Sequence, residues 1–112
     1  MTRPVGVGVA NGGAMMSKSY ILKDGKPVEE SDITAWGRWM KTAERHVAND
    51  ELPGVRISTV FLGLDHQWGA GPPILYETMI FGGAHDGYQA RYHTREDAVA
   101  GHAEALTVAT GP

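Results

Sequence analysis

The chain contains no cysteine, which excludes disulfides, thiolate zinc sites, iron-sulfur clusters and thiol nucleophiles from its chemistry. It also lacks an excess of positive charge, since 10 Lys and Arg against 13 Asp and Glu leave a formal net charge of −3. Binding to duplex nucleic acid is therefore disfavoured, because affinity there comes largely from neutralising phosphates. Long apolar runs are missing too; a spanning helix needs about 20 such residues, so no membrane partner is expected. No motif calls for a cofactor. What is present suits one compact domain: 112 residues can bury a core without staples. With 42% hydrophobic and 21% charged residues, the chain has a globular and not a disordered composition.

The opening MTRPVGVGVANGGAM alternates glycine with valine and has no pattern able to bury itself. It reads as a flexible leader over residues 1–15, with a single domain over 16–112; Met15 and Met16 offer an alternative start of translation. From Tyr20, YILKDGKPV predicts a hairpin turning at Asp24-Gly25, with Pro27 assigning its second strand to a sheet edge. In SDITAWGRWMKTAERHVAND, Ser31 or Asp32 caps a predicted helix whose apolar face is Ile33, Trp36, Met40, Ala43 and Val47. Its other face carries a basic ridge of Arg38, Lys41 and Arg45. Residues 55–64 and 74–81 read as long strands joined by the 65–73 loop into an antiparallel hairpin. The run AHDGYQARYH reads as a connection to a last helix, which Thr94 and Asp97 start as a capping box. Ala98, Val99, His102, Ala105, Leu106 and Ala109 fall on its inner side. This order predicts an α+β two-layer sandwich: an antiparallel sheet of three to four strands with two helices on one face.

The segments YILKDGKPV, ITAWGRWM, RISTVFLGLDH and GPPILYETMIFGG, with the closing threonine-to-GH helix, resemble a family of small proteins of tailed bacteriophages and prophages. The resemblance runs from Tyr20 to His102 and leaves the leader outside. Its members carry FLGLDH, a glycine-rich loop, a proline pair, a strand similar to LFETM and then FGG; Tyr76 stands here where phenylalanine is commoner. The resemblance implies a phage accessory protein of the host bacterial cytoplasm. It brings no established activity and transfers no catalytic residue.

Asp65 and His66 precede the loop QWGAGPP, which contains Trp68. That loop leads through prolines into a strand, so it is no phosphate loop of the helix-starting kind. His66 has the chemistry of a general base oriented by a carboxylate, whereas Asp and Gly at such a place are also ordinary loop formers. The polar and aromatic group of His85, Asp86, Tyr88, Arg91, Tyr92 and His93 suits either ligand contact or a plain surface connection. His85-Asp86 resembles a metal-binding dipeptide, but no further spaced ligands accompany it, so no metal is assigned. Glu77 lies in an apolar strand, either buried with a raised pKa or facing water with Tyr76, Thr78 and Ile80 on the covered side. His102 falls on the inner side of the last helix, as a hydrogen-bonded core histidine. Trp39 beside Arg45 marks an interface if it is exposed.

Two functions fit these residues. One is a noncatalytic accessory protein that binds a host protein, or sequesters a small anionic ligand such as a nucleotide, through Trp39, Arg45 and the two polar loops. The other is a small hydrolase or nucleotide-processing enzyme using His66, Glu77 and His102, which requires those side chains to converge. Binding is the preferred expectation, and homodimerisation through a free sheet edge is compatible with it.

Overall fold

Asp24 and Gly25 adopt φ of 52° and 77°, the left-handed pair that a two-residue hairpin turn demands. They join β1 (Tyr20–Lys23) to β2 (Lys26–Glu29) in this computed structural model, which describes residues 18–67 and 70–111. The leader expected over residues 1–15, and Trp68, lie outside the described residues. Pro27 sits opposite Leu22 in a strand exposed along its whole length, so the proline has its edge position. The hairpin forms a two-stranded sheet of its own and does not join the main one.

Asp32 caps α1 (Ile33–Thr42), its carboxylate accepting from the backbone N–H groups of Thr34 and Ala35 at 3.0 and 3.2 Å. The helix stops earlier than its apolar spacing predicts. Ala43 is already extended, and His46–Leu52 form β3 instead of a further helical turn. The reason is tertiary. Residues 46–52 gain an antiparallel ladder on β4 (Val55–Phe61) through a tight turn at Pro53-Gly54, where Gly54 takes φ of 76°. Arg45 clamps the start of that ladder: its Nη1 donates to the Phe61 carbonyl at 2.9 Å, and the Phe61 N–H donates to the Arg45 carbonyl at 2.8 Å. The expected basic ridge of Arg38, Lys41 and Arg45 therefore does not exist on one helix face.

β4 pairs antiparallel with β5 (Tyr76–Phe81), so the chain reverses across residues 65–73 as predicted. A short strand, β6 (Gln89–Tyr92), replaces the expected plain connection and completes the order β3-β4-β5-β6. Thr94 then caps α2 (Arg95–Thr110), its hydroxyl accepting from the Asp97 N–H at 3.1 Å.

Strand alternation decides which side chains α2 covers. Ile57, Thr59 and Phe61 of β4, with Tyr76, Thr78 and Ile80 of β5, are all at most 1% exposed and share the α2 side. Trp39 of α1 closes one end of the same layer, edge-on to Phe61 with ring centroids 5.9 Å apart. Phe61 in turn meets Tyr76 at 5.5 Å. The architecture is α+β, with the four-stranded sheet packed on α2. On α2 the inner face is Ala98, Gly101, His102 and Ala105, whereas Val99, expected inside, is 51% exposed. Gly101 takes the inner place because a Cβ there would lie 2.1 Å from the Tyr92 hydroxyl.

Candidate functional site

His102 projects from α2 between two strands. Its Nδ1 lies 2.7 Å from the Thr59 hydroxyl of β4, and its Nε2 lies 2.7 Å from Asp50 Oδ2 of β3. Thr59 continues to the Thr78 hydroxyl of β5 at 2.5 Å. A carboxylate only accepts, so in the neutral ring Nε2 carries the hydrogen and Nδ1 accepts from Thr59, whose oxygen then accepts from Thr78. The order carboxylate, imidazole, hydroxyl is that of a nucleophile relay. However, Thr59 and Thr78 are fully buried and His102 is 5% exposed, so a substrate has no access to the hydroxyl. Asp50 alone reaches water. The network ties three strands to α2 and satisfies polar groups that burial would otherwise penalise.

Two phenols lie buried nearby. The hydroxyls of Tyr76 and Tyr92 are shielded from solvent and have no hydrogen-bond partner of acceptable geometry. Burial pushes both pKa values up; Thr78, close to Tyr92, draws that one partly back without completing a hydrogen bond.

The side chains proposed for catalysis do not meet. Glu77 sits on the face opposite to Thr78 and His102, accepting from Arg91 Nε at 2.9 Å and Gln89 Nε2 at 2.6 Å. His66 follows the Phe61 end of β4, and His85 follows the Phe81 end of β5, so they occupy opposite ends of the sheet. Asp65 serves its loop, its Oδ1 accepting from the N–H groups of Gln67 and Ile74 at 2.7 and 2.9 Å, while the His66 N–H donates to the Ile74 carbonyl. Asp86 closes the other turn by accepting from the Gly82 N–H at 2.7 Å. Tyr88 packs beside Ile57, Ile80 and Ala105, and Tyr92 beside Phe61 and Tyr76. His85, Asp86 and Arg91 thus belong to turns and an ion pair around the sheet. Among the described residues no three His, Asp or Glu side chains are grouped to hold a metal ion.

Trp39 and Arg45 do come together. With Leu22 and Gly25 of the hairpin, Ala43, Glu44, His46 and Val47 of the α1–β3 junction, and Arg95 of α2, they line an open pocket of about 560 Å³. That volume lies in the range of small-molecule sites, roughly 300 to 1,000 Å³. Trp39 is partly buried against the Phe61 cluster, as are Leu22 and Val47, so the pocket floor is the outer surface of the core. Its rim is charged. Glu44 accepts from the His46 N–H at 2.7 Å and faces His46 Nδ1 at 3.0 Å; the first of these contacts does most to hold its carboxyl below the usual range. Trp39 therefore fails as a sign of an exposed interface but gains a place in a pocket.

Arg95, Glu44 and His46 escaped the sequence reading because a pocket wall assembled from the hairpin, a helix end and a second helix start leaves no linear spacing. Thr59 and Asp50 were missed for the same reason. Comparison with protein-family models, with curated proteins and with solved structures finds no match to this chain.

Proposed function

We propose that this is a small phage accessory protein that acts by binding, and that its ligand is a small anion taken up by the Trp39, Arg45 and Arg95 pocket. The observation that carries this reading is that two arginines from separate elements and a tryptophan line one pocket. Guanidinium forks match anionic oxygens, and the indole offers area to an apolar body. The phage assignment rests on the sequence resemblance. Binding is favoured over hydrolysis because the acid-imidazole-hydroxyl array centred on His102 is sealed beneath α2. A small ligand is favoured over a host protein because the aromatic groups expected to mark a protein interface are packed inward: Trp39 on Phe61, and Tyr92 on the same cluster.

A thermal-unfolding screen of the full chain against millimolar sulfate, citrate, benzoate and nucleotides tests this. A ligand that binds only the folded state stabilises it by about 2.7 kcal/mol at one hundred times its Kd. At least one anion should raise the midpoint, and Arg95→Ala should clearly reduce that rise while leaving the unliganded midpoint in place. A flat response across all anions, or one indifferent to Arg95, would contradict the proposal.

A further inference from the structure

The pocket holds charges of both signs, and their arrangement narrows the ligand class. Arg45 comes from the α1–β3 junction and Arg95 from the start of α2, and neither forms an ion pair with a carboxylate among the described residues. Arg45 spends one N–H on the Phe61 carbonyl and keeps the rest of its fork. A site with two such forks fits the several oxygens of a phosphate better than the two of a carboxylate. The pocket of about 560 Å³ is nevertheless far larger than a bare inorganic anion fills, given that one water occupies about 30 Å³ of liquid. Its wall of Leu22, Trp39 and Val47 calls for an apolar, flat body attached to the anion. Glu44 then sets the last condition. It is an acceptor-only carboxylate on the same pocket, so it repels a ligand anionic throughout and rewards one with N–H donors away from the phosphate.

Building on the anion-pocket reading above, we propose that the pocket takes a nucleoside monophosphate whose base carries an exocyclic amine. The phosphate is held by Arg45 and Arg95, the base lies against Trp39, and the amine is received by Glu44.

Calorimetric titration of the full chain with AMP, IMP, adenosine and inorganic phosphate tests the assignment. AMP should bind at least about tenfold more tightly than adenosine or phosphate, because hydrogen bonds to a charged group are each worth that much or more. IMP, which presents a carbonyl where AMP presents the amine, should bind more weakly than AMP, and Glu44→Gln should shrink that difference. Arg95→Ala should lower AMP affinity about tenfold without touching adenosine, and Arg95→Lys should restore part of it. Adenosine binding as well as AMP, IMP binding as well as AMP, or an unchanged preference in Glu44→Gln would overturn this assignment. If benzoate or citrate binds in an Arg95-dependent way while AMP gains nothing, the assignment fails and the anion pocket stands. If no anion binds the folded chain, both fail.

Discussion

Replacing Thr59 by valine removes one oxygen and keeps the shape, so its effect isolates the buried network. Thr59 touches both His102 Nδ1 and the Thr78 hydroxyl, at 2.7 and 2.5 Å. Its loss leaves two buried polar groups without partners, and each such group costs about 1 to 3 kcal/mol. A destabilisation of about 2 to 6 kcal/mol follows, a large share of the roughly 5 to 15 kcal/mol typical of a domain. Thr78→Val is milder, about 1 kcal/mol, because Thr59 keeps His102 as partner. The double variant leaves only the histidine nitrogen orphaned. It should therefore cost no more than Thr59→Val alone, which makes the pair non-additive by about 1 kcal/mol or more. Urea unfolding followed by circular dichroism, with the free energy extrapolated to water, measures all three. A Thr59→Val variant within about 0.5 kcal/mol of the parent, or a strictly additive cycle, would refute the claim that these hydroxyls and His102 act as one buried unit.

Other outcomes follow from single contacts. Gly101→Ala gains helix propensity of about 1 kcal/mol, but its Cβ would lie 2.1 to 2.3 Å from the Tyr92 hydroxyl and ring carbons; the thermal midpoint should fall, and Tyr92→Leu should restore part of it where Tyr92→Phe does not. The raised pKa values of Tyr76 and Tyr92 mean that the folded state holds these protons more tightly than the unfolded chain. Their contribution is complete below the unfolded value near pH 10, about the ordinary figure for tyrosine, and is lost as pH rises through the folded values. Stability should drop steeply in alkali, and Tyr76→Phe, which deletes an unpartnered hydroxyl, should flatten that drop with little loss at neutral pH. Asp65→Ala frees the N–H groups of Gln67 and Ile74 and should cost about 1 to 3 kcal/mol, with faster amide hydrogen exchange at Ile74.

The parts of the fold governed by local chemistry could be read in advance. Asp24-Gly25 specifies its turn by backbone conformation, and Asp32 and Thr94 cap helices through bonds spanning two or three residues. The apolar runs of β4 and β5 likewise announce themselves by composition. Failure came where distant partners decide. Ala43 and Val47 fit a helical face by spacing, yet the ladder on β4 and the Arg45 clamp on Phe61 draw residues 46–52 into a strand. Residues 89–92 read as polar loop because β6 is a short edge strand whose pattern is too brief to stand out. Of the residues lining the candidate site, Trp39 and Arg45 were named as binding residues, although for a helix face that the chain does not form. Arg95 could not be joined to them, since it follows Arg45 by fifty positions and meets it only through the packing of α2.

Chemical-shift mapping of the isotope-labelled full chain with AMP puts the central claim to its most direct test. The account predicts saturable shifts at the Trp39 indole N–H, along residues 43–47 and at Arg95. The Trp36 indole N–H, engaged with the Gly63 carbonyl at 3.0 Å, should stay in place as an internal control. Shifts centred instead on Asp50 and His102, or on the loop after Asp65, or no shifts at millimolar AMP, would contradict it.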